Sequence, residues 1–173
     1  MSITPPVLTA ENPADGPAID ALIDRAFGPG RYAKAAERLR EGRDPVRELS
    51  VVARDGGVIV GCACLYPITI GSTPALLLGP FAVDDAHRGK GLGAGLIRHA
   101  CAVAQAAGHG LILLVGDEAF FAPLGFSAAP ARRVAMPGPV DQRRVLVRAL
   151  KAGEADDLSG PVRAVAAEIA DKA

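Results

Sequence analysis

Residues 76–108, LLLGPFAVDDAHRGKGLGAGLIRHACAVAQAAG, limit what this chain can fold into more than any other stretch. An apolar run rich in Leu, Phe and Val ends at Asp84-Asp85. A basic glycine-rich turn follows as Arg88-Gly89-Lys90-Gly91-Leu92-Gly93, and apolar residues at helical spacing continue to Ala107. The order is strand, anion-binding turn, helix. Glycines at 89, 91 and 93 permit positive φ and close approach of a ligand to the main chain, so several N–H groups can converge on one anion. The first helical turn adds unpaired N–H groups and the positive end of the helix dipole. Each charge-assisted hydrogen bond there contributes roughly 1.5–3 kcal/mol, enough for the backbone to hold a diphosphate, with Arg88 and Lys90 adding charge. A single GxG would read as a tight strand-to-helix connection. Four glycines alternating from 89 to 95 beside two cations favour the anion seat.

Three anions fit such a seat unequally. A P-loop requires GxxxxGK[ST], but Lys90 is followed by Gly91, so no hydroxyl is available for magnesium. A dinucleotide fingerprint GxGxxA is met by Gly89, Gly91 and Ala94, with Asp117 or Glu118 near the end of the next apolar run. That fingerprint places its first glycine close behind the strand, whereas here the polar stretch from Asp84 to Arg88 intervenes. The third anion is coenzyme A. Arg88, Gly91 and Gly93 satisfy Q/R-x-x-G-x-G/A, and with PFAVDDAHRGKGLG the segment resembles the strand-four-to-helix-three unit of the GNAT superfamily of N-acetyltransferases. LILLVGDEAFFAPLGFSAA continues the resemblance through a fifth strand, a short helix and the Gly125-Phe126 turn, so that it covers about residues 76–127. RVLVRALKAGEADDLSGPV is similar to the tail of a bacterial group of predicted acetyltransferases of unassigned substrate.

At 173 residues the chain suits one domain over residues 1–173 with one sizeable core. Nineteen basic residues balance nineteen acidic ones, which argues against a nucleic-acid partner or a membrane surface. No apolar run has the length of a membrane span and the first residues lack signal-peptide blocks, so a cytoplasmic protein is expected. Cys62, Cys64 and Cys101 form no disulfide framework. With His87, His99 and His109 they show no zinc spacing, so they read as small buried hydrophobes, and no metal is expected.

Along the chain, Val7-Leu8-Thr9 reads as an edge strand, and Asn12 or Asp15 as the cap of a helix through Phe27 that buries Ile19, Leu22, Ile23 and Ala26. A second helix is expected from about Tyr32 to Arg40, bearing Arg31, Lys34, Arg38 and Arg40. Its charges read first as a solvated face. Glu48–Arg54 and Val58–Ile70 around Asp55-Gly56-Gly57 read as an antiparallel hairpin, with a bulge or bend at Tyr66-Pro67. Ala75–Val83 is the fourth strand and Leu111–Val115 a central strand parallel to it. Residues 127–142 read as irregular, Val145–Ala149 as a strand, and Pro161–Ala173 as helical. The pattern is α/β.

The GNAT resemblance makes the fold specific: a mixed, mostly antiparallel central sheet whose parallel fourth and fifth strands splay apart, flanked by helices. It implies that acetyl-CoA is the co-substrate, held by Arg88, Gly89, Lys90, Gly91, Leu92, Gly93 and Ala94. Backbone groups near Phe81, Ala82 and Val83 would bond the pantetheine arm like an added strand, with Phe121 packed against it. The implied reaction moves an acetyl group to a primary amine, small-molecule or peptide, by direct attack on the thioester. Arg31 and Tyr32 are implied on the acceptor side, and homodimers are common among similar proteins. Asp117 and Glu118, just beyond the fifth strand, are the candidate bases for deprotonating the amine, with Asp84 and Asp85 behind them, although each singly reads first as a surface or turn carboxylate. Many relatives carry a tyrosine where this chain has Phe121, so the departing thiolate is expected to leave unassisted or to take its proton from Tyr66 or water. A non-catalytic acyl-CoA sensor and a dinucleotide enzyme are the alternative readings.

Overall fold

A computed structural model describes residues 4–28 and 34–165. Among the described residues eight strands build the sheet: β1 Val7–Ala10, β2 Val51–Asp55, β3 Val58–Ile70, β4 Thr73–Val83, β5 Leu111–Val115, β6 Val134–Ala135, β7 Val145–Ala149 and β8 Gly160–Ala164. The order is β1-β2-β3-β4-β5-β7, with β8 beside the far half of β3 and β6 beside β8. The helices are α1 Gly16–Phe27, α2 Ala35–Arg38, α3 Leu92–Ala106 and α4 Glu118–Phe121. None of them is long and apolar enough to cross a membrane.

Alternation along the strands sends neighbouring side chains to opposite faces, and the two faces are covered by different helices. On one face, Leu96, Ile97, Ala100, Cys101 and Ala104 of α3 pack on Val51, Ala53, Ala63 and Leu65. The helix comes so close that a Cβ on Gly61 would lie 2.8 Å from the Leu96 side chain. On the other face Ile19, Leu22 and Ile23 of α1 cover Val52, Ile59, Cys62 and Cys64. The three cysteines are buried and unpaired. A third apolar cluster joins Ile68, Ile70 and Leu77 to Leu111, Val147 and Val162.

Asn12 opens α1 through a 3-10 turn over Pro13–Asp15. Its side chain accepts from Ala14 N at 2.9 Å, and Asp15 returns the bond from Asn12 N at 2.9 Å, a reciprocal cap. Asp15 also receives Arg54 of β2 at 2.5 Å, tying the helix start to the sheet.

Three expectations change. The bulge lies at Gly79-Pro80 of β4, not at Tyr66-Pro67. The β3–β4 register passes from Leu65↔Leu78 to Ala63↔Phe81, one extra residue on β4, whereas Tyr66 and Pro67 keep their places in the ladder opposite Leu77 and Leu76. The described part of the expected C-terminal helix is β8 instead, because β3 outruns β2 and offers Ile68–Ile70 as an open edge, which Val162 and its neighbours fill. Residues 166–173 lie outside the described residues, as do Arg31 and Tyr32. The second helix is shorter than expected, with α2 running only from Ala35 to Arg38.

The connection that positions the site is the parallel pair β4–β5. Only Leu76↔Ile112 and Leu77↔Leu113 are in register. Beyond them β5 stays bonded to β7 and β4 to β3, so the two strands part just where the β4 bulge begins.

Candidate active site

The splay opens a cavity of about 770 Å³. It runs from the glycine turn, between Leu78–Val83 and Leu114–Asp117, to the end of α1 and to α2. Phe81, Ala82, Val83, Arg88, Gly89, Gly91, Gly93, Ala94 and Phe121, all expected to hold a ligand, line it together. Lys90 and Leu92 do not: Lys90 Nζ donates to Ala86 O at 3.4 Å, and Leu92 packs against the core beneath α3.

The turn has the conformation its glycines permit. Gly89 and Gly91 sit at φ +76° and +80°, and a Cβ on either would meet nothing within 4 Å. Both therefore present open main chain to the cavity. Gly91 is the N-cap of α3 and contributes no side-chain cap, which leaves the first N–H groups of a fifteen-residue helix available to a ligand. The entry to the turn is braced. Arg88 Nε donates to Val83 O at 3.1 Å, its Nη1 pairs with Asp85 at 3.0 Å, and His87 Nε2 lies 2.8 Å from Asp55 on the β2–β3 hairpin.

The walls of the splay are aromatic. Phe120 and Phe121 meet edge-on at 4.8 Å between centroids, and Phe81 lies 6.2 and 6.0 Å from them. Phe121 is buried and packs edge-on against Phe126 at 5.8 Å. Gly116 makes room for it, since a Cβ there would lie 2.5 Å from the Phe121 ring.

Of the three residues named for proton transfer, the structure brings only Asp117 to the cavity. Asp117 is exposed and caps α4 by accepting from Ala119 N at 3.1 Å. Glu118 is exposed outside the lining. Tyr66 packs against the clusters beneath β3, and burial, with the nearby Cys64, raises its phenol above the ordinary value, which makes it a poorer proton donor.

Of the charged groups at the α2 end, the sequence read Lys34 and Arg40 as part of a solvated helix face and did not name Glu37, Asp141 or Arg144. Lys34, Glu37, Arg40, Asp141 and Arg144 line the cavity there. Glu37 Oε2 accepts from Arg40 Nη2 at 2.6 Å, with side chains only 15% and 12% exposed. The spacing E-x-x-R was legible as an i,i+3 pair, but nothing in it told which way the pair would face. Asp141 is already engaged: Arg143 bonds both its oxygens, at 3.1 and 3.0 Å, and holds its carboxyl below the usual range. Among the described residues, no group of three or more His, Cys, Asp or Glu side chains could hold a metal ion.

Known proteins resemble this chain over both the sequence and the fold. The uncharacterized N-acetyltransferase YhbS of Escherichia coli K12 is 32% identical over 126 residues, 71% of this chain and 74% of that protein. The crystal structure of the Escherichia coli GNAT family N-acetyltransferase YhbS in complex with CoA superposes with a TM-score of 0.80 at 25% identity, covering 95% of this chain and 92% of that one. A GNAT family acetyltransferase from Brucella melitensis, solved with acetyl-CoA, gives 0.68 at 25% identity, covering 94% and 96%. The acetyltransferase (GNAT) family model matches residues 17–126, which include all but the first residue of α1, the β4 bulge, the glycine turn and the splay, and the chain belongs to that family of acyl-transferring enzymes.

Proposed function

We propose that this chain is an acetyl-CoA-dependent N-acetyltransferase that passes the acetyl group to a primary amine by direct attack on the thioester. The observation that carries the reading is the single cavity joining an uncapped glycine turn to a charged pocket at α2, through the gap between β4 and β5. The residues present fit a coenzyme A molecule. A Cβ at Gly89 or Gly91 would occupy open space in the anion seat, and the bulged, splayed part of β4 is free on its β5 side. Acetyl-CoA supplies the activated acyl group.

In this reading the chain's own groups bind and orient. The backbone of residues 88–94 holds the diphosphate, and main-chain groups of Phe81, Ala82 and Val83 align the pantetheine arm as an extra strand. The three phenylalanine rings keep water from the thioester. Phe121 has no proton to give, so the thiolate, with an ordinary thiol pKa of about 8.5, leaves without a tyrosine acid. A lysine-like amine with a pKa of about 10.4 is protonated at pH 7, and exposing its lone pair costs about 4–5 kcal/mol, so a base at the acceptor end accelerates the reaction.

Calorimetric titration of wild type and Gly91→Val with acetyl-CoA, CoA and NAD tests the assignment. Acetyl-CoA binding that disappears in a folded Gly91→Val supports it; no CoA binding by folded wild type overturns it, and binding of NAD alone favours a dinucleotide enzyme. Thiol release on adding amines separates an enzyme from an acyl-CoA sensor.

A further inference from the structure

We infer that Glu37 is the group that receives the acceptor's ammonium and takes its proton, with Arg40 as the residue that positions it. This rests on the amine-transfer reading above. The cavity is lined by three carboxylates, and two of them have other work: Asp117 caps α4 and Asp141 is held on both oxygens by exposed Arg143. Glu37 differs from both. Arg40 holds only its Oε2, leaving Oε1 without a partner among the described residues.

Arg40 fixes where that carboxylate stands. Its Nη1 lies 2.9 Å from the position a Cβ on Gly79 would take, so the guanidinium rests on the β4 bulge, and Glu37 is one guanidinium width from it. The bulge begins the strand segment proposed to align the thioester. An i,i+3 pair on an open helix face would be worth little, whereas this one is shielded and turned into a cavity with apolar walls of Phe27, Phe81 and Phe120. There a carboxylate oxygen attracts an ammonium more strongly than it would in water.

The step balances. The amine lone pair forms the C–N bond at the acyl carbon while the C–S bond breaks and its electron pair leaves on sulfur. An ammonium loses two protons on the way to an amide: the first goes to Glu37, and from there to solvent, exposing the lone pair before attack, and the second passes from the acylated nitrogen to the departing thiolate.

Two small amines of similar shape, ethylamine and 2,2,2-trifluoroethylamine, test this in wild type, Glu37→Gln and Glu37→Asp. Trifluoroethylamine reaches the site already neutral, so its lone pair is exposed without passing a proton to Glu37. Thiol release with ethylamine should fall about 100-fold in Glu37→Gln, while release with trifluoroethylamine should fall less than about threefold, and Glu37→Asp should recover part of the ethylamine rate. Acetyl-CoA affinity and the melting temperature should stay near wild type. With carbon-13 at the glutamate carboxyls, ethylammonium added without acetyl-CoA should shift one resonance that Glu37→Gln lacks. Equal loss with both amines, or no loss, overturns the role. If wild type binds acetyl-CoA but neither amine stimulates thiol release, the amine-transfer reading falls and this inference with it.

Discussion

Gly91→Ala and Gly95→Ala make the same chemical change four residues apart and should have opposite effects. Gly91 is at φ +80°, where an L-residue pays a steric cost of about 1–2 kcal/mol, so Gly91→Ala should lose about that much stability. Gly95 lies inside α3, has no such φ, and a Cβ there meets nothing within 4 Å, so alanine should stabilise the helix by about 1 kcal/mol. Binding should separate the two further. Gly91 lines the cavity and Gly95 does not. A methyl group at 91 enters the anion seat, and losing one charge-assisted hydrogen bond of about 1.5–3 kcal/mol weakens acetyl-CoA by roughly 10- to 150-fold. Thermal melts give the stabilities and calorimetric titration the affinities. If Gly91→Ala binds acetyl-CoA within twofold of wild type, or if the two variants lose affinity equally, the turn is a connection rather than a seat.

Other substitutions test the supports of the site. Gly116→Ala places a Cβ 2.5 Å from the buried Phe121 ring and should cost about 1–3 kcal/mol in chemical denaturation, through overpacking. Asp15 is largely buried; burial raises its carboxyl, but the bonds from Arg54 and Asn12 N prevail and lower it overall. It therefore stabilises the fold above the unfolded value of about 3.9, and this is lost as pH falls through the lower folded value. Asp15→Asn should cost about 1.5–3 kcal/mol at pH 7, and melts at descending pH should show the gap to wild type closing in acid. Glu11 has the opposite sign: burial raises its carboxyl despite the thiol of Cys64, which donates to it at 3.7 Å. Its ionisation should reduce stability as pH rises from about 4.3 to the folded value, and Glu11→Gln should remove that slope from the melting profile.

The local elements were legible because short-range physics sets them. Alternating and continuous apolar runs marked β5 and β7 to the residue. Helical spacing marked α3 as a helix, and the glycines of 89–93 marked the turn, since positive φ at 89 and 91 needs no tertiary context to be favoured there. Where elements end against one another was less legible. Gly79-Pro80 and Tyr66-Pro67 look alike as interruptions of a strand, and only the β3–β4 register decides which one bulges. Val162 reads as helix in its own neighbourhood and becomes strand because β3 leaves an edge uncovered.

The same division runs through the site. The proposed coenzyme side is a backbone feature written in contiguous residues from Phe81 to Ala94, so the sequence alone was enough to single it out. The proposed acceptor side is assembled from α1, α2, the bulge of β4 and the loop before β7, which are far apart in the chain. Asp117 and Glu118 were prominent in sequence because they follow a strand, yet one caps a helix and the other lies outside the lining. Arg40 read as part of a solvated helix face, and Glu37 was not named at all. Which face of a short helix a charge occupies depends on what packs beneath it, here Gly79 at the start of the splay, and only the tertiary structure decided that.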